Sequence, residues 1–117
     1  MPARSELRVG TATEVQDAVS RSHLPDGRVV GWYGERGVVI DAEVLTWPLP
    51  ARLAARFGAE HFWARWTAAE CAAKLHSIPM HLWIREHGLT SPGVEVERIE
   101  VADLVVSLGR LTRGGRA

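Results

Sequence analysis

The chain has a single cysteine, Cys71, among 117 residues. No internal disulfide can form, and the residue reads as a reduced, buried thiol in a cytoplasmic protein. Neither charge is in excess: 14 basic residues balance 14 acidic ones. That balance argues against broad binding to nucleic acid or to an anionic membrane, which rests on a basic surplus. No apolar run approaches the length of a membrane span, and residues Met1 to Glu6 lack the apolar core of a secretory signal. Internal repeats, low-complexity segments and glycine-rich phosphate loops of the P-loop or Rossmann type are missing. His61, His76, His81 and His87 stand at no zinc-type spacing with cysteine, which makes them surface residues or satisfied interior ones.

What is present is an ordinary globular composition, 46% hydrophobic and 24% charged. One domain over residues 1–117 can bury a core without staples. The ends, about 1–6 and 111–117, are expected to be loose. Five tryptophans point to dense packing or to a partner surface.

Thr13 to Ser20 fits either a short helix, with Thr13 and Gln16 as a capping box, or an extended lead-in. After the turn Pro25-Asp26-Gly27, strands over Arg28–Tyr33 and Val38–Ala42 flank a tight turn at Gly34–Gly37, which predicts a hairpin. The continuous run Val38-Val39-Ile40 predicts a strand buried on both faces. Trp47-Pro48-Leu49-Pro50 opens a short helix ending before Gly58, with Leu49, Leu53 and Phe57, four apart, as its buried stripe. A longer helical region covers about Ala59 to His76, with its main part starting at a Thr67–Glu70 capping box. Met80 to His87 is a further helix, stopped by Gly88. After Pro92-Gly93 the period becomes two, giving half-exposed antiparallel strands over Val94–Val101 and Leu104–Leu108. Strands, helices, strands make an α+β fold: an antiparallel sheet with helices packed on one face.

Three constellations carry the chemistry. Asp41 and Glu43 are two apart on a strand, so their carboxylates project together. Such a pair suits Mg²⁺, though taken alone a strand reaching solvent explains it as well. Trp66, Glu70 and Lys74 are four apart and share one face of an alanine-rich helix. At that spacing Glu70 and Lys74 make an exposed ion pair worth about 0.3–0.5 kcal/mol. Ser20-Arg21-Ser22-His23 is a serine-rich approach to a histidine, able to meet phosphate oxygens.

In this order, Ser-x-Ser-His at 20–23, an apolar strand ending in Asp-x-Glu at 38–43, and Trp-Thr-x-x-Glu-x-x-x-Lys at 66–74 resemble the 4′-phosphopantetheinyl transferases of the surfactin-synthetase-activating type. The resemblance implies one half of that fold. It implies transfer of phosphopantetheine from coenzyme A to a serine of an acyl or peptidyl carrier protein, with Mg²⁺ as the metal. By the same correspondence Asp41, Glu43 and Glu70 would be metal ligands, and Glu70 alternatively the general base on the carrier serine. Lys74 would neutralise phosphate charge, and His23 with Ser22 would meet coenzyme A. A glycine-rich stretch usually follows the family's lysine; here Leu75-His76-Ser77-Ile78-Pro79-Met80 stands in its place. Sites of this family lie between two similar halves, so a homo-oligomer, dimer or trimer, or else a separate partner is implied. The alternative is a non-catalytic or repurposed relative that binds a carrier protein or a biosynthetic partner.

Overall fold

A computed structural model describes residues 3–112. After a 3₁₀ turn at Ala3–Glu6 come β1 (Leu7–Gly10), β2 (Ser20–His23), β3 (Val29–Trp32) and β4 (Val39–Val44). Three helices follow, α1 (Ala51–Phe57), α2 (Phe62–Leu75) and α3 (Met80–His87), then β5 (Val94–Val101) and β6 (Leu104–Leu111). The fold is α+β, but the strands form two antiparallel three-stranded sheets, ordered β1-β3-β2 and β4-β6-β5. Among the described residues no helix is long and apolar enough to cross a membrane.

Strand alternation sorts the second sheet into two faces. Ile40, Ala42, Val44, Leu104, Val106 and Leu108 meet Leu24, Val30 and Trp32 from the first sheet, forming the main core. Asp41, Glu43, Val105, Ser107 and Gly109 occupy the opposite face, with Asp41 registered to Ser107 and Glu43 to Val105. Helix α2 lies on that second face. Its small residues let it approach closely: Ala69, Cys71 and Ala72 are fully buried, and the Cys71 Sγ lies 3.3 Å from the Ser107 carbonyl. Thr67 Oγ1 and Ser107 Oγ are hydrogen-bonded across the same seam at 2.7 Å. Burial pushes the Cys71 thiol far above its ordinary value, so it is an inert packing group. Helix α3 closes the other side of α2 through Trp83, packed with Ala69, Ala72 and Ala73.

The seam leaves no room at Gly109, where an added Cβ would stand 2.9 Å from the Cys71 Cβ. Gly109→Val is therefore expected to destabilise the protein by about 1–3 kcal/mol through overpacking. Urea unfolding should show a lower midpoint at unchanged slope; an unchanged midpoint would refute the close contact.

Several expectations are corrected. The Arg28–Tyr33 and Val38–Ala42 strands do not form a hairpin: β3 is paired on both edges by β1 and β2, so residues 33–38 carry the chain across to the second sheet. The glycines read as a hairpin turn serve another purpose, since a Cβ on Gly34 would collide with the Trp32 indole. The helices do not leave the other face of a single sheet bare, because the β1-β3-β2 sheet covers it. β6 is buried on both faces rather than half-exposed, being the central strand. Helix α2 starts at Phe62, not Thr67, whose mid-helix hydroxyl donates to the Ala64 carbonyl. The capping box near the start is Thr11–Glu14 and not Thr13–Gln16: the Thr11 N–H donates to Glu14 Oε1 at 2.8 Å, and the Glu14 N–H donates to Thr11 Oγ1 at 3.1 Å. Ala3–Glu6 is ordered as a turn and Leu111 ends β6; the expected fraying of residues 113–117 lies outside the described residues. Helix α3 and the β5 strand fall where the sequence placed them. Helix α1 ends before Gly58 as expected, but it starts at Ala51, so Leu49 lies outside it, and its stripe is half-buried with no residue of the helix fully buried.

Candidate functional site

The site is built where β2, β4 and α2 meet. β4 pairs with β6 along one edge only. Its other edge is served by side chains of β2, which take the place of a neighbouring strand. Ser20 Oγ accepts the Ile40 N–H at 3.0 Å, and Ser22 Oγ accepts the Ala42 N–H at 2.9 Å. A hydroxyl that accepts one bond still has a proton to give, and Ser22 donates it to Asp41 Oδ1 at 3.3 Å. The serine thus fixes both the backbone that bears the acids and the first acid itself.

From the helix side, Lys74 Nζ donates to the Ile40 carbonyl at 2.8 Å and to Asp41 Oδ1 at 3.3 Å. The lysine is not engaged in the exposed Glu70–Lys74 ion pair that the spacing suggests; it crosses to the strand. Asp41 is 7% exposed. Burial, aided by Glu70 and Glu43, pushes its carboxyl up to about 7, against the opposing pull of Lys74. Glu43 rises to about 7 through burial first and Glu70 second. Burial also raises Glu70, with Lys74 opposing. Three carboxylates therefore share a partly dehydrated place with one ammonium, and they titrate as a group. Such a place favours a proton or a further cation. All the donors are carboxylate oxygens, the type Mg²⁺ takes, although among the described residues no group of three or more His, Cys, Asp or Glu is already disposed as a metal cage.

The structure brings together Ser22, Asp41, Glu43, Glu70 and Lys74. It does not bring His23 with them. Alternation along β2 places His23 on the face opposite Ser22, exposed. Trp66 also turns away, stacking on Phe62 with ring centroids 5.7 Å apart and standing edge-on to Trp63. The segment after Lys74 is a compact turn: Ser77 takes a left-handed φ of 57°, the Ile78 N–H donates to the Ala73 carbonyl, and Ile78 and Met80 pack on the Trp83 cluster. His76, expected on the surface or satisfied, stacks on Trp83 and has a buried Nε2 with no partner among the described residues.

Ser20, read only as part of the serine-rich approach to His23, was given no role of its own, and Lys74 carried a signal that motif spacing does not use. It is the only lysine among the 14 basic residues, the rest being arginine. A compact point charge fits between helix and strand where a planar guanidinium would not. Ser22→Ala leaves the buried Ala42 N–H unsatisfied and is expected to cost about 1–3 kcal/mol. The check is thermal unfolding of Ser22→Ala beside Arg21→Ala, an exposed neighbour that should be near neutral.

No protein-family model, no curated protein and no solved structure matches this chain.

Proposed function

We propose that the Asp41–Glu43–Glu70–Lys74 site serves Mg²⁺-dependent transfer of 4′-phosphopantetheine from coenzyme A to a serine of an acyl or peptidyl carrier protein. The observation that supports it most is the convergence, between the second sheet and α2, of three carboxylates held above their ordinary ionisation range beside one lysine. This is the order and spacing of residues that resembles the 4′-phosphopantetheinyl transferases, with the fold then one half of theirs. Asp41, Glu43 and Glu70 would hold the metal, which when bound supplies positive charge to the pyrophosphate. Phosphoryl transfer depends on positioning and on neutralising charge more than on covalent help. In the reaction the carrier serine oxygen bonds to the phosphorus of the pantetheine arm as the pyrophosphate P–O bond breaks, and adenosine bisphosphate leaves. Alternatively Glu70, raised by burial, leaves the metal to Asp41 and Glu43 and takes the serine proton. Lys74 adds charge beside the leaving phosphate, Ser22 positions Asp41, and His23 would reach coenzyme A only from the far side of β2, across the junction of a homo-oligomer.

One observation favours a second reading, a non-catalytic relative that binds a carrier protein or a biosynthetic enzyme. Lys74 already sits on Asp41, so part of the carboxylate charge is met without a metal. The two readings separate in one experiment. The protein is incubated with coenzyme A, Mg²⁺ and a panel of apo carrier proteins, and intact masses are measured. A phosphopantetheine mass gain that disappears in Asp41→Ala supports transfer. No gain on any carrier, together with carrier binding by calorimetry that does not depend on coenzyme A, supports the second reading.

A further inference from the structure

A second cleft, of about 410 Å³, opens where the two sheets part, and it shares no residue with the Asp41 site. Its floor is apolar: Trp32, Val38 and Leu108, while Val96 lines it with backbone, its side chain turned to the α2 face with Gly109. The indole N–H of Trp32 is already spent on the Glu35 carbonyl at 2.9 Å, so the ring offers carbon to the cleft. Gly34 is what lets the indole lie there, since any Cβ at that position would collide with the ring. The rim is predominantly acidic. Glu6, Glu35, Glu95 and Glu97 line it, with Arg110 the single cation. Arg110 is matched to Glu35 at 3.5 Å. Glu6, Glu95 and Glu97 have no ion-pair partner among the described residues. Three unmatched carboxylates thus gather around an apolar floor in a chain whose net charge is zero.

We propose that this cleft binds a small organic cation, an ammonium group carried on an apolar or aromatic body. The volume is that of a small-molecule site, and such sites combine an apolar lining with a few polar groups that set orientation. A simple inorganic cation would make no use of the apolar floor. A neutral apolar molecule would leave the carboxylates unused, and an anion, coenzyme A included, would be repelled. The cleft is therefore separate from the proposed transferase site and does not depend on that reading.

The test titrates the ¹⁵N-labelled protein with three molecules that share one ring: phenethylamine, phenethyl alcohol and phenylacetate. The amine is expected to shift the amides of Val38, Val96 and Leu108, with affinity in roughly the millimolar range. The alcohol should bind about fivefold more weakly, and phenylacetate should not shift these amides. Added salt should weaken the amine alone. Glu95 and Glu97 are exposed strand-edge residues, so Glu95→Gln/Glu97→Gln should keep the circular dichroism of the parent. In it, amine affinity should fall about fivefold, towards that of the alcohol. Equal binding of amine and alcohol, shifts confined to other residues, no binding of the amine, or full amine affinity in the double variant would each overturn the proposal.

Discussion

Lowering the pH from about 8 to about 5.5 is expected to raise the melting temperature of the metal-free protein. Most proteins gain little or lose stability over that range. The cause is the acid cluster. Folding raises Asp41 from 3.8 to about 7 and Glu43 from 4.5 to about 7. A carboxyl raised in the folded state holds its proton more tightly there, so the native state gains as pH falls through the folded value. That gain is complete below the unfolded value and is lost between about 4 and 7 as pH rises. The full displacement of about three units on a single group corresponds to roughly 4 kcal/mol, about half of it gained by pH 5.5, and sharing a proton among coupled neighbours spreads the effect without changing its sign. The rise in melting temperature should be on the order of 10 °C. The Asp26 and Asp103 carboxyls, held low by hydrogen bonds from Arg28, act in the opposite sense. Their contribution is lost only below the ordinary carboxylate range, outside this window. Asp41→Asn should flatten the pH profile and melt higher than the parent at about pH 8, because a neutral amide no longer carries the desolvated charge. A parent melting temperature that falls between pH 8 and 5.5 would contradict the arrangement.

Lys74→Met is expected to be the most damaging single change at alkaline pH. It removes the ammonium that donates to both Ile40 O and Asp41. A buried carboxylate left without its partner costs about 3–5 kcal/mol. At about pH 5.5 the loss should shrink, because Asp41 then carries a proton. Adding Asp41→Asn to Lys74→Met should recover most of the stability at pH 8, a coupling of about 2–3 kcal/mol in a double-mutant cycle. Lys74→Arg should recover little, since a planar fork cannot take the place of one ammonium between helix and strand. Denaturant unfolding at the two pH values reads all of these. A Lys74→Met that is neutral at pH 8 would mean that the ammonium does not stabilise Asp41.

The local elements were legible where periodicity and punctuation agreed. Leu53 and Phe57 before Gly58 marked α1, though Leu49 falls before its start, the stop at Gly88 marked α3, and the alternation after Gly93 marked β5. Pairing was less legible. Gly34 and Gly37 looked like a hairpin turn because turn residues state only that the chain bends, whereas Trp32, folded back against Gly34 with its N–H on Glu35, determines where it goes. The start of α2 was placed too late because Thr67–Glu70 has the spelling of a cap. Tertiary packing uses that threonine instead to bond Ser107, 40 residues away.

The site was legible in part. Two-residue spacing put Asp41 and Glu43 on one face, and helical spacing put Glu70 and Lys74 together. Spacing could not show that Lys74 reaches the strand, or that β2 supplies hydroxyls in place of a paired strand. Nor could it show that His23 and Ser22 part company, which follows from β2 being a strand at all.

The central claim is that the acid cluster awaits a cation together with a phosphate-bearing partner. Melting of the parent and of Asp41→Ala is to be followed at about pH 7.5 with Mg²⁺ alone, coenzyme A alone, and both together. Ligands that bind only the folded state raise its melting temperature. The expected result is a rise in the parent that is largest with both, and no joint rise in Asp41→Ala. No joint rise in the parent, or the same rise in the variant, would contradict the claim.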